Sequence, residues 1–163
     1  MKGLTRRSLL GRLGALAAAL GLTRRPAAAA DRSFDIVRSD AQWRAMLQPQ
    51  AYEVLRRQGT EPPFSSPLDH EKRPGTYACA GCELALFDSK TKFDSGTGWP
   101  SFYAPLPGAV ASTTDRSFLM VRTEVHCRRC GGHLGHVFDD GPKPTGLRYC
   151  MNGVALEFRP RPA

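Results

Sequence analysis

The chain has no apolar run long enough to cross a membrane and no acidic residue in its first thirty positions. The weakly apolar stretch from about Leu13 to Leu22 is short and rich in Gly and Ala, whereas a spanning helix needs about 20 predominantly apolar residues. Lys2, Arg6, Arg7, Arg12, Arg24 and Arg25 therefore account for most of the formal net charge of +8, and all 15 acidic side chains follow later, where they nearly balance the remaining basic ones. A near-neutral remainder excludes a case for nucleic-acid binding. Beyond the helical N-terminal part there is no βαβ alternation, which argues against a parallel sheet, and no internal repeat. One cysteine of the five has no evident partner.

What stands at the N-terminus is a basic start, an apolar stretch and an alanine run offering A-x-A cleavage near Ala30. This predicts a signal peptide over residues 1–30. Thr5-Arg6-Arg7-Ser8-Leu9-Leu10 is similar to a twin-arginine export signal, and Arg24 and Arg25 after a modest apolar run make ordinary threading export a poor fit. The expected destination is the periplasm, with no stable membrane insertion after cleavage. A surface-bound basic amphipathic helix is the alternative, but the stretch does not segregate its apolar residues onto one helical face. Residues 31–163 fit a single domain with one core.

Ser39 is placed to cap a helix over residues 40–47, Pro49 to open a second running to Arg57, and Gly59 to end it. Pro62, Pro63, Pro67 and Pro74 predict an extended, wrapping segment up to Gly75. Short strands follow. Alternation from Ser117 to Val125 places Leu119, Val121, Thr123 and Val125 on one side, and Leu147–Asn152 places Arg148, Cys150 and Asn152 on one face with Leu147, Tyr149 and Met151 on the other. Helices first and strands after predict a mainly β, antiparallel fold with a short helical cover.

Cys79-Ala80-Gly81-Cys82 and Cys127-Arg128-Arg129-Cys130-Gly131-Gly132 are two C-x-x-C knuckles with glycine at the turn. Four thiolates suit a closed tetrahedral zinc site, structural because no coordination position is left for a substrate. The separation of the knuckles exceeds the usual ribbon spacing, and two disulfides are the competing arrangement in an exported chain. Cysteines two apart in a turn, however, make strained disulfides.

Cys150 in GLRYCMNG would be a small buried hydrophobe in an apolar setting. Its predicted face is polar, and a neighbouring Arg148 favours the thiolate, the nucleophilic form. His133 and His136, followed by Asp139 and Asp140, offer imidazoles for proton transfer and carboxylates to orient them. The two imidazoles could instead be metal ligands or core residues. Trp99 in SGTGWPSF either plugs the core or forms an apolar wall for a sulfur-borne methyl group.

GTEPPF at 59–64, the two knuckles, SGTGWPSF at 95–102, RTEV at 122–125, GHLGHVF at 132–138, GP at 141–142 and GLRYCMN at 146–152 together resemble the B-type methionine sulfoxide reductases, from about residue 39 to Phe158. The resemblance implies two antiparallel sheets with one structural zinc held by Cys79, Cys82, Cys127 and Cys130. It implies reduction of methionine-R-sulfoxide, in proteins and also as the free amino acid, with Cys150 attacking the sulfoxide sulfur and becoming a sulfenic acid. His133 and His136 match proton donors to the sulfoxide oxygen. Arg148, Asp140 and Asn152 match residues that set geometry and protonation, and Trp99 with Phe138 matches the wall for the substrate methyl group. Two departures stand out. Thr97 occupies a position where many family members carry the cysteine that resolves the sulfenic acid, so a one-cysteine enzyme recycled by an external, thioredoxin-like thiol donor is expected. Asp139 replaces the usual proline, and its carboxylate would raise the Cys150 pKa. The expected enzyme is a monomer that repairs oxidised exported proteins. A zinc-ribbon binding module with Cys150 in the core, and a thiol–disulfide oxidoreductase using a knuckle as redox pair, are the competing readings.

Overall fold

A computed structural model describes residues 34–162. The signal peptide expected over residues 1–30 lies outside them.

Helix α1 spans Asp40–Met46 and begins at the residue expected to cap it: the Ser39 hydroxyl accepts the Gln42 N–H, and the Gln42 side chain accepts the Ser39 N–H. This reciprocal box satisfies two amides that a helix start otherwise strands. Helix α2, Pro49–Arg57, starts on the fixed φ of proline and buries Ala51, Tyr52, Val54 and Leu55 on one face. Its end differs from expectation. The left-handed residue is Gln58, at φ 56°, and Gly59 comes one position later, its N–H closing on the Glu53 carbonyl at 2.9 Å.

Residues 58–74 wrap the domain with one 3-10 turn, Pro67–Asp69. The strands are β1 Gly75–Cys79, β2 Ala85–Asp88, β3 Lys92–Phe93, β4 Ser101–Phe102, β5 Val110–Asp115, β6 Arg122–Cys127, β7 His133–Phe138, β8 Arg148–Met151 and β9 Leu156–Pro160. They form two sheets, β2-β1-β9 and β3-β4-β8-β7-β6-β5, with every neighbouring pair antiparallel. The mainly β, two-sheet architecture with short N-terminal helices is the one the sequence predicts.

The strand expected from Ser117 onward is shorter than its alternation suggests. Ser117–Leu119 forms a 3-10 turn and β6 starts at Arg122, because the chain must reverse between β5 and β6 before it can pair. Leu119 and Val121 are consequently exposed, and of the four residues on that side only Val125 enters the core.

The core joins the two sheets through aromatic side chains. Phe87 of β2 stacks on Phe102 of β4 at 4.3 Å, Tyr77 of β1 meets Phe102 edge-on at 4.9 Å, and Tyr149 of β8 lies 6.0 Å from Phe87. Such offset and edge-on pairs favour one relative placement beyond what burial alone supplies. Tyr149 and Met151 face this core, so the alternate residues of β8 must face away from it.

Candidate active site

Strand register places the chemistry. Ser101 of β4 pairs with Cys150 of β8, Cys150 with His136 of β7, His136 with Glu124 of β6, and Glu124 with Thr113 of β5. Paired residues in an antiparallel sheet project to the same face with Cβ atoms about 5 Å apart. One row of polar side chains thus crosses five strands with the thiol near its middle. Two residues along, Phe138 pairs with Arg148 and Asp115 with Arg122. The close approach at the centre requires a glycine: a Cβ on Gly135 would stand 2.1 Å from the Cys150 carbonyl oxygen.

A cavity of about 130 Å³ opens over this row, lined by Thr60, Trp99, Arg122, Gly135, His136, Phe138, Cys150 and Asn152. Five of the residues predicted for the site therefore share one wall. Arg148 holds Asp140 through two bonds of 2.8 Å and lies 4.4 Å from the centre of the Phe138 ring. Asn152 is committed at both ends, its Nδ2 donating to the Leu134 carbonyl at 3.0 Å and its Oδ1 accepting the Glu61 N–H at 3.0 Å. The Trp99 indole N–H donates to the Glu61 carbonyl at 3.1 Å.

The Cys150 Sγ lies 3.9 Å from the Thr97 hydroxyl, which continues through Ser95 at 2.8 Å to Ser101 at 2.7 Å. Ser101 in turn donates to the Trp99 carbonyl at 3.0 Å. The sequence alone points to Arg148 lowering the thiol pKa. Burial instead pushes the Cys150 thiol up, and Thr97, Arg148 and Ser101 offset only part of that cost. Asp139, expected to raise it, is exposed, and the leading cause is burial.

The two imidazoles are held differently. His136 Nε2 is 2.9 Å from Asp115, which also accepts the Ser117 N–H at 2.8 Å and an Arg122 N–H at 2.7 Å. The Ser117 contacts above all, with help from His136 and Arg122, hold the Asp115 carboxyl well below the usual range. Burial lowers the His136 pKa against the pull of Asp115 and so favours the neutral ring, whose Nε2–H donates a hydrogen bond to that carboxylate. His133 is 3% exposed, binds Glu124 through Nδ1 at 2.8 Å, and leaves Nε2 buried without a partner. It sits beside His136, with ring centres 5.4 Å apart, and lines an adjoining polar cavity rather than the one over Cys150.

Asp115, Arg122, Glu124 and Glu61 are site residues that the sequence does not single out. Parity along β6 puts Arg122 and Glu124 on one face, but whether that face is the thiol's depends on register across three strands.

The four knuckle sulfurs all lie within 4.8 Å of one another, with Cys79–Cys130 at 3.8 Å and Cys82–Cys127 at 3.5 Å. A tetrahedral zinc with Zn–S bonds of about 2.3 Å has S···S edges of about 3.8 Å, so the donor set fits that ion. The nearest sulfurs belong to different knuckles, and all five cysteines are unbonded, which disfavours a disulfide inside each turn. The knuckles are braced from outside and tied to each other: Arg56 donates to the Cys130 carbonyl at 3.0 Å and Ile36 N–H to the Arg129 carbonyl at 3.0 Å, while Arg129 of the second knuckle donates to the Cys82 carbonyl of the first at 3.2 Å. The helical cover and N-terminal segment are thereby tied to the two cysteine-bearing turns.

A family model described as the SelR domain matches residues 47–160. The Peptide methionine sulfoxide reductase MsrB of Pseudomonas putida strain W619 is 61% identical over 121 residues, covering 74% of this chain and 91% of that protein. The proteins of the same name from Agrobacterium fabrum strain C58 and Bradyrhizobium diazoefficiens are 55% and 54% identical, covering 76% and 77% of this chain and 92% and 91% of theirs. Among solved structures, the Mis18 "Yippee-like" domain is similar with a TM-score of 0.46 at 20% identity, covering 56% of this chain and 100% of that one.

Two outcomes follow from the geometry. The rate of Cys150 alkylation by iodoacetamide, measured against pH, should inflect above the free-thiol value of about 8.5, and Arg148→Gln should move the inflection higher, since removing a cation disfavours the thiolate. An inflection below that of free cysteine contradicts the burial argument. Elemental analysis should find one zinc per chain, and Cys127→Ser should lose it and lower Tm by at least about 10 °C, the shift a few kcal/mol gives in a domain of this size. Metal-free wild-type protein containing two disulfides contradicts the site.

Proposed function

This chain belongs to the SelR-domain family of peptide methionine sulfoxide reductases, and from that membership and the site's geometry we propose how its residues reduce methionine sulfoxide in proteins. The observation that carries the proposal is the row that sets Cys150 beside His136 in a side-chain-sized cavity that Trp99 and Phe138 also line.

The substrate's methyl group rests against the Trp99 and Phe138 rings, where aromatic faces favour sulfur-borne methyls. The Cys150 sulfur attacks the sulfoxide sulfur while its thiol proton passes, by way of the free ring nitrogen of the neutral His136, to the sulfoxide oxygen, a poor leaving group unless protonated, with His133 beside it. The sulfur–oxygen bond passes to Cys150, methionine leaves, and the enzyme holds a sulfenic acid. Apolar wall, proton relay and nucleophile each engage a different side of the tetrahedral sulfoxide sulfur, so a single epimer can satisfy all three. The family pattern makes it the R epimer. Arg148, fixed by Asp140 and Phe138, offsets part of the cost of ionising the buried thiol, and Asn152 fixes the strand end beside it.

Recycling is assigned to another molecule. Thr97 stands against Cys150 where a resolving cysteine would, and the remaining thiols are gathered in the four-sulfur cluster. One thiol of an external, thioredoxin-like donor attacks the sulfenic sulfur with loss of water, and a second releases Cys150 as a thiol and the donor as its disulfide. The cluster would hold zinc as a cross-link between β1 and β6, with four protein ligands and no position for substrate. The leader over residues 1–30 supports a periplasmic enzyme exported folded by the twin-arginine route, its zinc loaded beforehand in the reducing cytoplasm.

With dithiothreitol, purified protein should reduce a blocked methionine-R-sulfoxide and not the S epimer, and Cys150→Ser should be inactive. Full activity in that variant, or preference for the S epimer, overturns the assignment. Thr97→Cys should form a disulfide between the introduced thiol and Cys150 after one turnover, detectable by mass spectrometry; a persistent sulfenic acid in that variant would contradict the placement of Thr97. In a fractionated host, replacing Arg6 and Arg7 with lysine should retain the protein in the cytoplasm, and unchanged export would sink the twin-arginine reading.

A further inference from the structure

Glu61 is 2% exposed, and none of the steps above uses its carboxylate. It lies in the wrapping segment after α2 and meets two parts of the site at once. Its Oε1 accepts the Gly153 N–H and its Oε2 the Val154 N–H at 3.0 Å, both in the 3-10 turn Gly153–Ala155 that follows the end of β8. Its own N–H donates to the Asn152 side chain at 3.0 Å, and its carbonyl accepts the Trp99 indole N–H at 3.1 Å. Gly153 makes the approach possible, because a Cβ there would stand 1.9 Å from the Ser66 hydroxyl and 3.3 Å from Glu61 Oε1.

A carboxylate suits this place for a definite reason. Two backbone N–H donors converge on it, and an ionised carboxyl is the one side chain of this length that accepts from both with no donor of its own. Glutamine would keep one acceptor and turn an N–H₂ toward the second amide. Burial pushes the Glu61 carboxyl up, and the two amides, which bind the ionised form, pull it back only in part. A buried charge is a costly way to fill space, so its presence calls for something that an apolar residue cannot supply.

We propose that Glu61 is a positioning residue of the reductase. Its carboxylate clamps the 60–61 backbone onto the turn after Cys150, and that backbone then holds the Trp99 indole, the wall for the substrate methyl, and the Asn152 amide, the fixed end of the nucleophile's strand. This rests on the reaction proposed above. Glu61 touches no reacting atom; it acts by keeping wall and nucleophile at a fixed separation.

The test compares wild type, Glu61→Gln and Glu61→Ala with a blocked methionine-R-sulfoxide and dithiothreitol. Alongside it run the iodoacetamide alkylation rate of Cys150, bound zinc, and hydrogen exchange of the Trp99 indole proton. With the clamp released, KM should rise about tenfold in Glu61→Ala and about threefold in Glu61→Gln, because loss of a binding surface appears in KM. Preference for the R epimer should narrow and Trp99 exchange should quicken, while alkylation rate and zinc content stay at wild-type values. Unchanged KM in a folded variant overturns the proposal. So does a loss shared by alkylation and zinc content, which would mark Glu61 as a general support of the fold. If the alanine variant does not fold, the glutamine variant decides, and failure of both to fold also overturns the assignment. Failure of the wild type to reduce the R-sulfoxide refutes the reaction itself, and Trp99 exchange still reports whether the clamp exists.

Discussion

The ladder between β7 and β8 is the constraint on which the rest of the site depends. It sets His136 opposite Cys150 and Phe138 opposite Arg148, so imidazole, thiol, cation and aromatic ring, the groups the proposed reaction uses, share one face of one sheet. A slip of one residue would turn Cys150 into the aromatic core and Tyr149 out to the substrate, since side chains alternate with a period of two. The slip is opposed from both sides. Tyr149 and Met151 are packed in the core, and the contact of Gly135 with the Cys150 carbonyl tolerates no side chain at that position.

Burial and charge are in tension at this face. Placing the thiol in a cavity beside Trp99 and Phe138 surrounds it with apolar side chains, and that burial disfavours the thiolate. Arg148 is the compensating cation, and Asp140 with Phe138 keeps it in place while taking up part of its charge. The same burial favours a neutral His136, with Asp115 accepting a hydrogen bond from its Nε2–H. The substrate-free site therefore favours a protonated thiol beside a neutral His136. In the reaction proposed above, such a site attacks a sulfoxide when thiol proton and sulfoxide oxygen come within reach of the same groups, and it leaves a bystander electrophile largely alone. The zinc-fitting cluster stands apart from this balance: it ties β1, β6 and the helical cover together, and the hydrogen bonds of Arg56 and Arg129 to its turns keep that tie from shearing.

Much of this is legible in the sequence wherever the cause is local. Ser39 and Pro49 mark helix starts because capping and proline geometry act over one turn. The parity of Arg148, Cys150 and Asn152 is a property of a single strand, and four thiols in two glycine-bearing knuckles announce a ligand set. What cannot be read there depends on distant segments. Register alone decides that Glu124 and Asp115 reach the imidazoles, and the path of the wrapping segment alone brings Glu61 onto Trp99 and Asn152. Alternation misplaces the start of β6 because the turn before it carries apolar residues, Leu119 and Val121, at the spacing of a strand. The direction of the Cys150 pKa is misleading in sequence for a related reason: the neighbouring arginine is visible there, and the depth of burial is not.

The central claim is that Cys150 takes the oxygen and then waits for another molecule. Its most direct test is mass spectrometry of the purified protein, mixed with one equivalent of methionine-R-sulfoxide in the absence of reductant and then treated with dimedone. The account predicts a single dimedone adduct, on Cys150, with Cys79, Cys82, Cys127 and Cys130 unmodified. A disulfide joining Cys150 to any of those four, or an adduct on another residue with Cys150 untouched, would contradict it.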